Sequence, residues 1–591
     1  MPKYIFSELI FNMQSRYKNS GFKLKNHIGL DTETYNGYVR LIADSTGEYK
    51  LISSFDNLIN YLTNKKFRNS MNWFYNIQFD FDSIIKYLSK EEIIELYENK
   101  SLIYNKRLLT YIPKKYFGIK SNNNYYHFYD LFNFLEISLN KASKKYLNDE
   151  KLNIVDAERL NYDIQYWADN EELIIHYCLK DAKLTSELAK YFWDLIYNTI
   201  NFNPKRPFSK GKLAEEYFIS KCNIPTIENI PYAVLEIAYN HYRGGRFELL
   251  QKGLFDKVYE YDIKSAYPFE IAQLIDFSKG KWEKIKGFND AYLGFYNCKI
   301  ESMEPIISPF IMKIGSLSIY PNGKFKTILT NYEINTIHKL FPDIEIKVLN
   351  GYIFNPIQKE YPFIEEVNNL YYLKEKETDE DIKYIYKIIL NALYGKTIQC
   401  IDKKAGKLFN PIYATLITSN TRLKLLKFLK SFDFAIALST DSIHSIKPLK
   451  INKFPKLGDF DINFEGKGIY IMSDVYYLWN PKKSKSRFRG FMIKEDDTST
   501  NLLSILQSMI HTNELKYSYK VTRPYHLGEC LKEKFIKSRQ SFINLNDINI
   551  FYEETKTIDF NGDKKRLWNR EFNSVIDILT NNIQSIPLII T

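Results

Sequence analysis

Carboxylates in five short stretches stand where metal chemistry could use them. In "HIGLDTETYNG", Asp31 and Glu33 lie two residues apart after apolar Ile28 and Leu30. At strand period two, both side chains leave the same face. Such a pair can share a divalent cation, because Mg²⁺ prefers hard oxygen ligands. "WFYNIQFDFDSIIKYL" presents Asn76, Phe79 and Asp80, and "EELIIHYCLKDAKLT" reads as a helix with Tyr177 and Asp181 on one face. "YEYDIKSAYPFEI" ends a strand-favouring run at Asp262, followed by Ser265, Tyr267 and Pro268. "FAIALSTDSIHSI" holds a single acid, Asp441, at the polar bend between two apolar runs.

Other segments read as the frame for these acids. "YNHYRGGRFE" pairs Gly244 and Gly245, which allow close backbone approach, with Tyr242, Arg243 and Arg246; arginines there suit phosphate. "DIKYIYKIILNALYGKT" is a helical pattern with Lys383, Lys387, Asn391 and Tyr394 along one stripe, apolar Ile388, Ile389 and Leu393 opposite, and Gly395 as a stop signal. Cations for a triphosphate and a flat ring for a base pair would suit a nucleotide on that stripe. Residues 201–212, "NFNPKRPFSKGK", read as a linker. Residues 308–331 read as short strands and turns, and beyond Thr500 helical and strand signals are mixed. Each motif alone also has an ordinary explanation: a solvated strand end, a helix cap, a half-buried aromatic.

The 591 residues imply several structural units. A net charge of +12 suits a polyanionic partner such as nucleic acid. The 47 Tyr and 41 Phe could stack on bases, although AT-rich coding produces the same excess. Five scattered cysteines without a CxxC pair argue against a disulfide framework or a zinc site and fit a reducing cytoplasm. The start, "MPKYIFSELIFNMQSRYK", lacks a signal-peptide layout. No apolar run approaches the ~20 residues of a membrane span.

In this order the stretches resemble the motifs of family B DNA polymerases with a DEDD-type 3′→5′ exonuclease. DxE, NxxFD and YxxxD belong to the exonuclease; YxGG, DxxSxYP, KxxxNxxYG and TDS belong to the polymerase. The YRGG form and the short chain are most similar to the protein-primed phage type. The resemblance implies a mixed α/β (α+β) fold: a ribonuclease H-like exonuclease domain over 1–200, a linker over 201–212 and a right-hand polymerase domain over 213–591. Within the latter it implies palm (213–300 and 397–520), an inserted priming and processivity region (about 301–360), fingers (361–396) and thumb (about 521–591).

By the same resemblance, Asp31, Glu33, Asp80 and Asp181 hold two metals, with Tyr177 positioning water. Thr34, Asn76, Phe79, Ser138 and Leu139 hold a frayed primer end. Asp262, Asp441 and the Ile263 carbonyl hold two further Mg²⁺ ions, for which Mn²⁺ can substitute. Tyr267 stacks beneath the incoming sugar, Lys387 and Lys374 grip the triphosphate, and Asn391 and Tyr394 frame the base pair. Tyr242, Gly244 and Gly245 couple primer binding between the sites. The implied partners are primer–template DNA, dNTPs and a terminal priming protein, for a monomer without a membrane, copying a viral or plasmid genome in the host cytoplasm.

Several departures qualify the resemblance. The family writes the catalytic turn DTDS, and here Ser439 replaces the first, accessory aspartate. The hairpin expected between KxxxNxxYG and that turn is cut to little more than "CIDKKAGKLF". In "MSDVYYLW" the KxY element keeps Tyr476 or Tyr477 but has Asp474 or Val475 where lysine is expected. Lys482, Lys483, Lys485 and Arg487 nearby are candidates to substitute. A lysine and a second tyrosine that assist the exonuclease in some relatives have no clear counterpart. Two other readings follow from these departures, an exonuclease that has lost synthesis and a basic nucleic-acid scaffold. Retained carboxylates argue against the scaffold, since acidic clusters repel phosphate unless metal is present.

Overall fold

The computed structural model describes residues 4–11, 26–303, 307–315, 317–429, 434–488, 501–512, 514–533 and 545–591. Parts of three expectations lie outside them: residues 1–3 and 12–18 of the quoted start, Ser316 in the strand-and-turn region, and Thr500. Among the described residues no helix is long and apolar enough to cross a membrane.

The N-terminal half is built on an eight-stranded mixed sheet in which His27–Tyr35 pairs parallel with Met71–Phe74, itself parallel to Asn124–Asp130. The helix Ile164–Ile200 lies along His27–Tyr35. Gly29 permits that contact, because a Cβ there would sit 2.1 Å from the Ala182 carbonyl oxygen. The same close approach brings Tyr177 and Asp181 over Asp31 and Glu33.

The second half centres on a sheet whose strands run 484–488, 475–479, 460–472, 251–263, 442–445, 435–440 and 246–249 in spatial order. Gln251–Ile263 is central and carries Asp262 near its end. Pro411–Phe428, started by Asn410 as N-cap and Pro411 in the first turn, is the helix that precedes the turn at Asp441. Helices Lys210–Lys221, Ile364–Lys376 and Glu380–Lys396 pack together beside it. The last of these runs one residue past Gly395 and is capped at Thr397.

Several boundaries differ from expectation. Helix Lys210–Lys221 begins inside the linker range 201–212. The division at 300/301 falls within strand Leu293–Ser302, which pairs with Asn322–Thr330 and Glu345–Pro356. Gly280–Lys286 joins the same sheet, so two strands from the range expected to be palm share a sheet with strands from the range expected to be the insertion. The division at 520/521 cuts strand Lys516–Pro524, which forms a two-stranded ribbon with Phe551–Asp559. Residues beyond the ribbon return to earlier sheets: Asn582–Pro587 pairs with Gln251–Ile263, and Ile589–Ile590 pairs with Asn322–Thr330. A free strand edge exposes unpaired backbone groups, and pairing them elsewhere overrides a tidy division by sequence.

The shortened hairpin consists of Cys400–Ile401 against Lys404–Ala405, turned by Asp402 and Lys403 at φ 48° and 64°. Ile10 bridges to Lys404, so the N-terminal segment covers its open edge.

The returning chain is fixed by a buried ionic triad. Glu248 accepts from both Arg246, through Nε at 2.8 Å, and Arg566, and all three are at most 3% exposed. Removing the carboxylate strands two buried guanidinium groups. Glu248→Ala should therefore cost about 3–5 kcal/mol in urea unfolding. A loss below about 1 kcal/mol would mean the triad is not what anchors the C-terminal strands.

Candidate active sites

In the N-terminal half, three elements converge. Asp31 and Glu33 project from one strand, Asp80 from the first turn of helix Ile77–Ile85, and Tyr177 and Asp181 from the long helix. Thr32 Oγ1 donates to Asp80 at 2.7 Å, tying helix to strand. Asn76 takes a left-handed conformation (φ 69°), and its N–H donates to Asp130 at 2.9 Å, which sets where that helix starts. Lys151 Nζ reaches Asp181 at 2.5 Å and lies 4.9 Å from the Tyr177 ring. Burial, then the charge of Asp181, raises Asp31 well above the usual range and Glu33 to about 8. Burial raises Asp80 to about 7. Asp181 Oδ1 is buried without a hydrogen-bond partner. A set of mutually repelling buried carboxylates with an orphaned oxygen suits divalent cations, which would relieve both.

The residues expected to hold a strand end separate into two groups. Asn76 and Ser138 are exposed and Phe79 is half-buried. Thr34 is 2% exposed with its hydroxyl donating to Asn161 at 2.7 Å, and Leu139 is a core residue at the start of helix Leu139–Leu147. For these two the structure corrects the expectation of direct contact, because strand period and helix phase turn both side chains inward.

The second site is one cavity of about 1010 Å³ whose lining includes Asp262, Ile263, Tyr267, Lys374, Lys387, Asn391, Tyr394 and Asp441. Asp262 sits opposite Ser442 across the antiparallel pair, and the Ile263 N–H donates to the Asp441 carbonyl at 3.0 Å. Burial first, then neighbouring carboxylates, lifts Asp262 and Asp441 to about 6 each. Asn463 donates to Asp262 at 2.5 Å, and Lys374 donates to Ser265 at 3.1 Å. Tyr267 and Tyr394 rings lie 4.4 Å apart, and the Tyr394 hydroxyl meets that of Tyr242.

The glycine pair has two separate roles. A Cβ on Gly245 would lie 2.8 Å from Thr440 Cγ2, whereas Gly244 faces open space. Thr440 itself is held at φ 55°, an uncommon conformation for a β-branched residue, directly beside Asp441. Arg422 fixes the loop by donating to the carbonyls of Arg243 and Gly244 at 3.1 and 2.9 Å.

Beneath the acids lies a buried polar network. Glu260 takes Lys485 at 2.5 Å and leaves its other oxygen unpartnered. His444, pushed down to about 3 by burial and so neutral, bonds the Tyr470 hydroxyl at 2.8 Å. Ser439 donates to buried Asp474 at 2.9 Å, and Arg487 Nε approaches the same carboxylate at 3.5 Å. Of the four cations offered as substitutes for the KxY lysine, Lys485 and Arg487 enter this network, while Lys482 and Lys483 stay on the outer turn. Sequence reasoning missed Lys151, Asp130, Glu260, Asn463 and Arg422. Only Glu260 carried a signal: it lies two residues before Asp262 on one strand, hence on the same face.

Residues 148–420 match the family described as DNA polymerase type B, organellar and viral. That range contains Lys151, Tyr177, Asp181, Asp262 and the 383–395 stripe and stops short of Asp441. A DNA polymerase of Acidianus bottle-shaped virus (isolate Italy/Pozzuoli) is 27% identical over 67% of this chain and 64% of its own length. A probable DNA polymerase of Agaricus bitorquis is 26% identical over 49% of this chain and 34% of its own. The chain thus spans less than two thirds of either relative. Among solved structures, phi29 DNA polymerase with primer–template DNA and incoming nucleotide covers 90% of this chain and all of its own, with TM-score 0.62 at 16% identity. That likeness shows a shared mixed α/β fold. Over residues 148–420, a little under half of its length, the chain is similar to the type B DNA polymerases of the organellar and viral group.

Proposed function

We propose that this chain is a DNA-directed DNA polymerase that edits its product with a separate 3′→5′ exonuclease. The observation that carries the reading is the single cavity in which Asp262 and Asp441 stand at one end of a stripe of Lys387, Asn391 and Tyr394. Asp262, Asp441 and the Ile263 carbonyl would hold one pair of Mg²⁺ or Mn²⁺ ions, and Asp31, Glu33, Asp80 and Asp181 another. Such ions supply Lewis acidity that ionises the attacking hydroxyl or water and stabilises charge on the phosphate. Lys387 and Lys374 bind the triphosphate as point charges, and Tyr267 supports the sugar against the Tyr394 ring. Asn391 and Tyr394 frame the base pair, while Tyr242, Gly244 and Gly245 pass the primer along. In the N-terminal site, Lys151 holds Asp181 and Tyr177 in place, Tyr177 orients water, and Asn76, Phe79 and Ser138 receive the frayed end.

Priming from a terminal protein, a viral or plasmid replicon and action by a monomer in a host cytoplasm complete the proposal. Five unpaired thiols are compatible with such a reducing compartment. Domain roles are proposed as above, with the insertion enlarged to include 280–302 and the thumb extended back to 516. The two-rung hairpin at 400–405 has little surface with which to part duplex DNA.

Asp441→Ala should abolish primer extension and leave single-strand degradation intact, and Asp31→Ala should do the reverse. A labelled primer–template assayed with and without dNTPs reads both. Loss of both activities in both folded variants would sink the two-site assignment.

Ser439 and Asp474 make a second forecast. Ser439→Asp places two buried carboxylates against one another, so extension should fall at least about tenfold, as like charges at hydrogen-bond distance cost more than about 1.4 kcal/mol. Adding Asp474→Asn should restore it. If Ser439→Asp alone raised activity, Asp474 would not be the residue that offsets the missing aspartate.

On a nicked circular template without helper proteins, products should stay short. Long products would show that the hairpin is not needed for strand displacement.

Metal linkage gives the last forecast. Glu33 and Asp80 titrate near about 8 and about 7 in the folded chain, against ordinary values of 4.5 and 3.8. The folded state therefore keeps protons that the unfolded chain releases, and metal-free stability falls as pH rises from about 4 through about 8. Thermal unfolding in EDTA should show Tm dropping across that window, and Mg²⁺ should raise Tm most at its alkaline end. A flat Tm, or an equal Mg²⁺ effect in Glu33→Gln/Asp80→Asn, would mean these acids do not bind the ion.

A further inference from the structure

Within the N-terminal cluster sits a group that the proposed hydrolysis does not use. Cys178 follows Tyr177 on the long helix, is fully buried, and donates its thiol hydrogen to the Asp31 carbonyl oxygen at 3.4 Å. One donor atom each from Asp31, Glu33 and Cys178 lie within 4.8 Å of one another. Shifts of about an ångström would close that spacing onto a single cation. A separate observation points to the same space. Asp181 is 2% exposed, its Oδ1 has no hydrogen-bond partner, and its charge acts on both Asp31 and Glu33.

The donor set is therefore one sulfur among carboxylate oxygens. Magnesium takes oxygen ligands and ignores sulfur, whereas zinc and cadmium gain affinity from a thiolate. We propose that Cys178, Asp31, Glu33 and Asp181 form a site for a soft divalent cation, zinc or cadmium, that overlaps the space where editing would take its magnesium. Binding replaces the S–H bond with a sulfur–metal bond and releases the proton to water, with no change of oxidation state. The bound ion occupies Asp31 and Glu33, so it blocks hydrolysis. Among the described residues no cysteine lines the polymerase cavity, so synthesis is spared. The blocking effect rests on the exonuclease reading; the site itself does not.

Titration of the metal-free full chain with Cd²⁺, followed by the ultraviolet thiolate-to-cadmium band, tests the site without DNA. The expected result is a band that saturates at one equivalent and is lost in both Cys178→Ser and Cys178→Ala. Half-buried Cys222 and Cys400 contribute equally to all three proteins and cancel in the difference. Glu33→Gln should weaken the ion at least about tenfold. In activity assays Zn²⁺ should suppress degradation in the native chain, and Cys178→Ser should need at least about tenfold more for the same effect. An undiminished band in Cys178→Ser, or no band in the native chain, overturns the proposal. If the native chain degrades no DNA at all, the exonuclease reading falls, and the cadmium band still decides the site.

Discussion

One backbone hydrogen bond, from the Ile263 N–H to the Asp441 carbonyl, closes the cavity of the second half at its acidic end. It forms only while Asp262 stays opposite Ser442, since paired residues of antiparallel strands share a face. A slip of one residue would turn Asp262 to the far side of the sheet. Much of the surrounding structure serves that register. Gly245 leaves room for Thr440 at its strained φ, Arg422 clamps the loop before Gly245, and the Glu248 triad binds the chain's end to the strand beside the turn. These contacts come from distant stretches of sequence and act on the same two strands.

Both acid clusters are balanced from outside their motifs. Lys151 neutralises Asp181 from an irregular segment, and Lys485 and Arg487 reach the network under Asp262 and Asp441 from an edge strand. The balance is incomplete, since the carboxyls remain shifted upward and two buried oxygens lack partners. Full neutralisation by protein cations would leave nothing for a metal to do. Under the proposed function, partial neutralisation leaves these carboxylates able to take a divalent ion while the fold stays intact. Ser439 and Asp474 fit this pattern: where DTDS has an aspartate, Ser439 donates to Asp474, whose charge Arg487 meets from the edge strand.

The sequence made visible whatever obeys a short period. Two-residue spacing marked Asp31 with Glu33, and helical spacing marked Tyr177 with Asp181 and the stripe from Lys383 to Tyr394. The bend at Asp441 and the shortened hairpin were equally plain. What stayed hidden depends on long-range contact. Lys151 lies in a segment with no periodic pattern, and Asp130 looks like any strand end until Asn76 is found on it. Thr34 falls on the strand face opposite Asp31 and Glu33, and the cover over that face includes Asn161, 127 residues away, which no local pattern announces. In the last ninety or so residues the signals were mixed, and the final strands, Asn582–Pro587 and Ile589–Ile590, complete sheets begun far upstream, so those partners could not be read locally.

Polar links between the halves include the half-exposed pairs Lys145 with Asp381 at 3.3 Å and Lys210 with Glu136 at 2.8 Å. Pairs of that kind contribute at most about 1 kcal/mol each. The stronger constraint is apolar. A single buried cluster runs from Trp73, Phe134 and Trp193 in the N-terminal half to Leu213, Ile389 and Ile412 in the second. Such a core transmits strain and does not open in parts without loss of close packing. Phe134 also accepts, through its carbonyl, the hydroxyl of Tyr384 from the helix that lines the cavity of the second half. The two acid clusters are thereby held at a fixed separation. Under the proposed function a DNA end has to travel between stationary sites, and the competition between them is set by how readily that end frays from its template.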